Sequence, residues 1–238
     1  MSVEPDQQTL GILRDRFGFD AFRPGQGEAI GALLAGRNML AVMPTGSGKS
    51  LIYQIPALLT GGLTVVVSPL VALMQDQVAA LRLNGVAAAT INSSIPRDEN
   101  IETWSRVQAG EVTLLYMSPE RLMDGRMIAA IGKLSPMLFA IDEAHCISQW
   151  GPAFRTEYAD LGKLREIFPG VPIAALTATA DQITRDDIAA RLFDGDAEII
   201  VTGFDRPNLT LAVEMKRNWK KQMLDFVAAH RDEAGVVY

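Results

Sequence analysis

An α/β fold is predicted for this chain: a mainly parallel sheet with helices on both faces, in a three-layer α/β/α arrangement. Two observations predict it. Short apolar runs of strand length alternate with segments of helical length, the pattern that builds a parallel sheet covered by helices on each side. Near the start of that alternation stands Met43-Pro44-Thr45-Gly46-Ser47-Gly48-Lys49-Ser50, a glycine-rich turn between a strand-like and a helix-like segment.

The first strand is expected over Met39–Met43, and the helix Lys49–Leu59 follows the turn. Gly61-Gly62 stops that helix, and Leu63–Ser68 is the next strand. Val71–Leu83 is helical, Asn84-Gly85 ends it, and Ala87–Ile91 is the third strand. Asn92-Ser93-Ser94-Ile95-Pro96 forms a loop, with Pro96 near the first turn of the helix Asn100–Ala109, which Gly110 closes. Glycine just past a helix and proline at its start have the backbone freedom and rigidity those positions require. The alternation continues through strand Val112–Met117, helix Glu120–Ile131, strand Leu138–Asp142, helix Thr156–Phe168, strand Ile173–Thr177, helix Asp181–Leu192 and strand Glu198–Thr202. Phe204-Asp205-Arg206-Pro207-Asn208 then breaks the rhythm and reads as a linker between residues 1–203 and 209–238. In the second segment, Leu209–Met215 and a basic helix from Lys216 to His230 lead to Gly235-Val236-Val237-Tyr238, the apparent start of a buried strand. That segment is expected to be the truncated beginning of another domain.

Composition sets limits. With 48% hydrophobic and 21% charged residues, the chain matches a soluble globular protein. No apolar run approaches the roughly 20 residues that span a bilayer, so no membrane partner is expected. The polar N-terminus is unlike a secretory signal. The single cysteine, Cys146, excludes an internal disulfide framework and offers no metal-ligand cluster. A cytoplasmic location is the expectation, nucleoid-associated if the source is bacterial. The net charge of −6, from 22 Lys+Arg and 28 Asp+Glu, argues against nucleic-acid binding by bulk basicity but leaves room for a local groove.

The chemistry is read from two segments. In the turn, Gly46 and Gly48 allow backbone N–H groups to approach a polyphosphate at a helix N-terminus, with Thr45 and Ser47 completing the loop. Lys49 would reach the β/γ-phosphates and the Ser50 hydroxyl would ligate Mg²⁺. Met43 stands where the generic pattern has its first glycine. The second segment is Met137-Leu138-Phe139-Ala140-Ile141, an apolar run ending in Asp142-Glu143-Ala144-His145. A carboxylate at the C-terminal tip of a parallel strand beside a phosphate loop is placed to hold Mg²⁺. Asp142 is that carboxylate, and Glu143, pointing elsewhere, orients and deprotonates the attacking water. An Asp-Glu pair alone could equally cap a helix; together with Lys49 and Ser50 it reads as an ATP-hydrolysis site.

In order and spacing, the motifs resemble the first motor lobe of RecQ-family DNA helicases. The residues that carry the resemblance begin with Phe22-Arg23-Pro24-Gly25-Gln26, the loop through Ser50, Val66-Ser68-Pro69-Leu70 with Gln75-Asp76-Gln77, and Tyr116 through Leu122. They continue with Asp142 through Gly151, Leu176-Thr177-Ala178-Thr179-Ala180 and Phe204 through Leu209. The family also writes Met-Pro at the start of its phosphate loop. The resemblance implies a RecA-like P-loop domain over residues 1–203, a linker at 204–208 and the start of a second RecA-like lobe at 209–238. It implies an ATP-dependent helicase that translocates 3′ to 5′ on single-stranded DNA and unwinds forked duplex in repair and recombination. Single-strand-binding protein and repair factors are the implied protein partners.

The resemblance also assigns roles. Phe19 and Arg23 would sandwich the adenine and Gln26 would read its polar edge, although Phe19 and Phe22 could instead fill the core. His145, Thr177 and Thr179 would couple the ATP site to lobe movement. Trp150, Phe154 and Arg155 belong to an aromatic-rich loop that contacts single-stranded DNA and reports it to the ATP site. Where the family has His-Asp before and Pro after its Phe-Arg pair, this chain has Pro152, Ala153 and Thr156. That departure bears on the DNA-to-ATP signal and not on ATP binding. Ser68 matches a DNA-backbone contact, or is a helix N-cap. Lys216, Arg217, Lys220 and Lys221 around Trp219 read as a solvated face rather than a nucleic-acid site.

Two other functions fit parts of the pattern: a DEAD/DEAH-type RNA helicase lobe, and a non-motor module whose DNA affinity is switched by ATP. Relative ATPase stimulation by single-stranded DNA and RNA separates the first. The Glu143→Gln change separates the second, because a switch that needs only nucleotide binding survives it. Family members take their completing arginine from the second lobe, so these 238 residues alone are expected to bind ATP and hydrolyse it poorly.

Overall fold

The computed structural model describes residues 6–148, 155–203, 210, 212–231 and 233–236. The chain divides into two compact units at the 204/205 boundary. The first begins with two helices that the strand–helix alternation did not reveal, α1 (Gln7–Phe17) and α2 (Gln26–Leu34). Then come β1 (Met39–Val42), α3 (Leu51–Thr60), β2 (Thr64–Val67), α4 (Val71–Leu83), β3 (Ala88–Ile91) and α5 (Arg97–Gln108). They are followed by β4 (Leu114–Met117), α6 (Pro119–Leu122), α7 (Gly125–Gly132), β5 (Leu138–Ile141), α8 (Thr156–Ala159), α9 (Leu164–Ile167), β6 (Ile173–Thr177), α10 (Gln182–Phe193) and β7 (Glu198–Val201). Within the second unit α11 (Trp219–Ala229) is the described helix, and residues 212–216 and 234–236 have no regular structure. The linker expected at 204–208 lies outside the described residues.

All seven strands predicted from the sequence form one sheet in the order β3-β4-β2-β5-β6-β1-β7, every neighbouring pair parallel. β1 to β6 are buried throughout, the signature of a sheet covered on both faces. On one face Leu40, Val65, Phe139 and Ala175 meet the cluster built with Ile131, Leu161, Ile188 and Phe193. On the other, Ala41, Val66, Tyr116 and Ala140 meet Ile52, Tyr53, Met74 and Val78 of α3 and α4. In this second layer Ala140 pairs with Ala174 in the ladder, and both are fully buried. Such short side chains leave room for α3 to lie close to the strands behind the phosphate loop.

Two expected helices are broken. Glu120–Ile131 divides at Met123-Asp124, because the Asp124 carboxylate caps α7 by accepting from the N–H groups of Arg126 and Met127. Thr156–Phe168 becomes α8, a 3₁₀ turn at Asp160–Lys163 and α9. The glycine stops hold: Gly61, Gly85 and Gly110 all take positive φ just past their helices. Among the described residues no helix is long and apolar enough to cross a membrane.

Candidate active site

The sheet order brings the chemical residues together. β6 lies between β5 and β1, so its tip, Thr177, stands between the acids that follow β5 and the loop that follows β1. The Met43 N–H donates to Thr177 O at 3.1 Å and fixes the start of the loop against β6. Gly46 and Gly48 take φ of 79° and 78°, a left-handed backbone that side chains resist. Ser50 takes the cap position of α3 without using its side chain as a cap.

Lys49 Nζ donates to Met43 O at 3.0 Å and Pro44 O at 3.2 Å. Burial lowers the Lys49 ammonium's pKa, and the carboxylates of Asp142 and then Glu143 oppose that shift. A cation that feels both acids places the loop and the acids in one site. Asp142 is 8% exposed. Burial first, then the Glu143 carboxylate, raises its pKa; the Glu143 N–H (to Asp142 Oδ1, 3.0 Å), Lys49 and Gln77 pull it back.

The two acids part company because strand alternation ends between them. Asp142 follows β5 toward α3 and α4, whereas Glu143 sits in the left-handed region at φ 51°, ψ 43°, unusual for a side chain with a Cβ. It is not the first turn of a capped α-helix; Ala144–Ile147 is a 3₁₀ turn. Glu143 Oε2 lies 3.2 Å from His145 Nδ1, which is also 3.0 Å from Thr177 Oγ1. The His145 hydrogen bond lowers the Glu143 pKa against the effect of burial. The Cys146 sulfur first and Glu143 second push His145 up to about 9. Thr177 Oγ1 donates to Thr179 O at 3.1 Å and accepts from Thr179 N–H at 3.2 Å. The structure thus joins Glu143, His145, Thr177 and Thr179 in one chain of contacts.

The loop before α2 closes over the phosphate turn. Gln26, 2% exposed, accepts from Arg23 N–H at 2.9 Å and donates to Ser47 O and Gly48 O at 2.9 and 3.0 Å. The Arg23 guanidinium donates to Gly46 O. Phe19 is 49% exposed and therefore not core. Arg23 and Gln26, two of the three residues expected around an adenine, are thus fastened to the loop expected around the phosphates.

The donor set suits a magnesium–nucleoside triphosphate. Ser50 and Asp142 offer hard oxygen donors of the kind Mg²⁺ takes beside phosphate oxygens. Ser47 Oγ is buried with no hydrogen-bond partner, as a group awaiting a polar ligand would be. A Cβ at Gly48 would stand 2.7 Å from Gln26 Nε2, so the turn has no space for a side chain there. Among the described residues no group of three His, Cys, Asp or Glu could hold a metal unaided.

The expected DNA side is less exposed to view. Trp150 and Phe154 lie outside the described residues. Arg155 is anchored to the β2–α4 connection through its NH1 donating to Pro69 O at 3.3 Å. Ser68 is fully buried; Leu70, not Ser68, occupies the cap position of α4, and Ser68 Oγ has no partner. Sequence reasoning missed four residues around Asp142. Tyr158, fully buried, donates from its hydroxyl to Asp142 O at 3.1 Å. Gln77 reaches the Asp142 carboxylate from α4, and the buried Tyr53–Tyr116 hydroxyl pair, 3.1 Å apart, feels its charge. Nothing in a hydrophobic run marks a tyrosine whose hydroxyl finds a polar partner.

The DEAD/DEAH box helicase family matches residues 23–188, and the chain belongs to that family. Within it, the chain is similar to the ATP-dependent DNA helicase RecQ of Haemophilus influenzae, 45% identical over 229 residues covering 96% of this chain and 37% of that protein. RecQ of Bacillus subtilis is 44% identical over 229 residues, covering 95% of this chain and 39% of that protein. The chain therefore spans under two fifths of these curated relatives' length. The fold is shared with the Mycobacterium smegmatis helicase Lhr bound to ssDNA and AMP-PNP, at TM-score 0.67 and 19% identity over 95% of this chain and 33% of that one.

Proposed function

We propose that this chain is the ATP-binding motor region of a RecQ-type DNA helicase, with residues 1–203 as its first lobe and 204–208 as a linker to the second. The observation that carries the reading is that Thr177 at the tip of β6 joins the two segments, its carbonyl accepting from Met43 N–H at the start of the loop after β1 and its hydroxyl lying 3.0 Å from His145 Nδ1 beside the acids after β5. The relatives' name, ATP-dependent DNA helicase RecQ, supports it.

In this reading Phe19 and Arg23 stack on the adenine; Gln26, whose two amide N–H bonds already go to Ser47 O and Gly48 O, has only its carbonyl oxygen, which also accepts from Arg23 N–H, to offer the edge of the base. The N–H groups of Thr45 to Ser50 and the Lys49 ammonium bind the phosphates. Ser50 and Asp142 would hold Mg²⁺, which when bound would supply positive charge against the phosphate oxygens. Glu143, kept ionised by His145, accepts a proton from the attacking water and aligns it with the γ-phosphorus. His145, Thr177 and Thr179 link that carboxylate to the neighbouring strand tip, a path by which hydrolysis is felt beyond the site. Single-stranded and forked DNA are the proposed polymer substrates, engaged by Trp150, Phe154, Arg155 and the Ser68–Pro69 connection, with stepping 3′ to 5′.

The test is a pair of variants. Lys49→Ala should abolish saturable binding of a fluorescent ATP analogue, whereas Glu143→Gln should keep binding and reduce phosphate release by about 10²–10⁴. Unchanged hydrolysis in Glu143→Gln would sink the reading.

A further inference from the structure

The peptide group that joins the two acids is held at both ends by side-chain oxygens. Its N–H, that of Glu143, donates to Asp142 Oδ1 at 3.0 Å. Its carbonyl, that of Asp142, accepts from the buried Tyr158 hydroxyl at 3.1 Å. Rotation of this one peptide plane would turn the Asp142 carboxylate and the backbone leading into Glu143 together.

The sheet explains why that carbonyl needs a side-chain donor. β2 and β5 are parallel with Val67 opposite Ile141, and the Asp142 N–H continues the ladder by donating to Val67 O at 2.8 Å. In a parallel ladder the N–H and C=O of one residue face the same neighbouring strand, and the carbonyl accepts from the residue two places beyond the one its N–H reaches. For Asp142 that residue is Pro69, which has no N–H to give. A carbonyl left without a donor in a buried residue is costly. Tyr158 supplies the missing proton. Its ring lies in the apolar cluster with Ile141, Ile147 and Leu161, where a phenylalanine would pack as well, so packing does not account for the hydroxyl. The same turn of chain grips β2 a second time. Tyr158 N–H donates to Arg155 O at 3.0 Å, Arg155 N–H donates to Cys146 O at 2.9 Å, and Arg155 Nη1 donates to Pro69 O at 3.3 Å.

We propose that Tyr158 is a positioning residue for the cation site: its hydroxyl replaces the ladder donor that Pro69 lacks and fixes the Asp142–Glu143 peptide in the orientation that presents the Asp142 carboxylate to Mg²⁺. The inference rests on the ATP-site reading above and adds a residue to it. Tyr158 touches neither nucleotide nor metal and acts through one peptide group. Because Arg155 fastens the same turn to Pro69, the clamp also ties the metal-side acid to the connection after β2.

The test titrates Mg²⁺ against binding of a fluorescent ADP analogue to the 238-residue chain, to Tyr158→Phe and to Ile131→Val, which trims the same apolar cluster without touching the peptide. Tyr158→Phe should raise the Mg²⁺ concentration for half-maximal binding by ~10-fold, the scale of lost support behind a metal ligand, with binding in EDTA unchanged. Ile131→Val should lower the melting temperature and leave the Mg²⁺ titration on the wild-type curve. A further protein combines Tyr158→Phe with Pro69→Ala, which returns an N–H to the ladder position; its Mg²⁺ midpoint should fall back toward wild type. Tyr158→Phe titrating like wild type would overturn the proposal and leave the tyrosine a packing residue. So would a shift that Pro69→Ala does not reverse, because a donor to Asp142 O would then not be what the site had lost. If Tyr158→Phe fails to fold, the double variant decides: a midpoint at the wild-type value upholds the proposal, and a ~10-fold shift refutes it. Absence of Mg²⁺-dependent binding in the wild type would instead refute the underlying ATP-site reading.

Discussion

Gly48 combines two constraints that Gly46 does not. Both have positive φ, but a Cβ at Gly46 would meet nothing within 4 Å, whereas at Gly48 it would stand 2.7 Å from Gln26 Nε2. Gln26 cannot yield cheaply, because that nitrogen already donates to Ser47 O and Gly48 O. Gly46→Ala should therefore cost about 1–2 kcal/mol of left-handed strain. Gly48→Ala should cost that and the Gln26 contacts besides, and titration with a fluorescent nucleotide should show it as the weaker binder. The His145–Glu143 pair makes a second residue-scale prediction. His145 is raised from 6.5 to about 9 by the Cys146 sulfur and Glu143; its stabilising contribution is complete below 6.5 and lost as pH climbs through about 9. Glu143 is lowered from 4.5, so its contribution is present above 4.5 and lost as pH falls through its folded value. Melting temperatures of wild type and His145→Gln should differ most between those limits, near pH 4.5–6.5, and converge by about pH 10. A gap that does not change with pH would mean the ion pair contributes nothing.

Helix boundaries follow from individual caps. The Asp124 carboxylate accepts from two N–H groups at 3.0 and 3.2 Å and thereby starts α7 as a separate helix. Asp124→Ala should destabilise the chain by about 1 kcal/mol in urea unfolding, without altering nucleotide affinity, since α7 packs through Met127 and Ile131 on the face of the sheet opposite α3. α1 and α2 escaped the sequence reading for a related reason. The alternation argument looks for helices between strands, and these precede the first strand. α1 is mostly polar, with Leu13 its one fully buried large side chain and Asp6 its cap. Yet α2 is the element that delivers Gln26 to the phosphate turn, and its start is held by Gly25, where a Cβ would come within 2.7 Å of Thr202 Cγ2 and 2.9 Å of Met43 Cε.

Across the whole first unit, stability and site geometry share one sheet. Phe139 is fully buried on β5 with its ring 4.9 Å from Phe168, and Asp142 is three residues further along the same segment. Phe139→Ala should remove about 3–5 kcal/mol, and near the urea midpoint loss of far-ultraviolet signal and loss of nucleotide binding should coincide. Binding lost well before the fold would show that the strand tips loosen independently. The sheet also explains how residues more than 90 positions apart meet: Lys49 and Asp142 follow strands separated in space only by β6.

The seven strands, their parallel pairing class, the phosphate turn and the paired acids could all be read from the sequence, because each depends on local apolar runs, glycine placement or a contiguous motif. Strand order depends on which crossovers pack, and only the folded sheet decided that β6 would bring Thr177 between the two halves of the site. The same holds for Tyr53, Tyr116, Tyr158 and Gln77. Their polar atoms act through partners distant in sequence, and hydrogen-bond satisfaction in a core is a property of three-dimensional neighbours that no local pattern encodes.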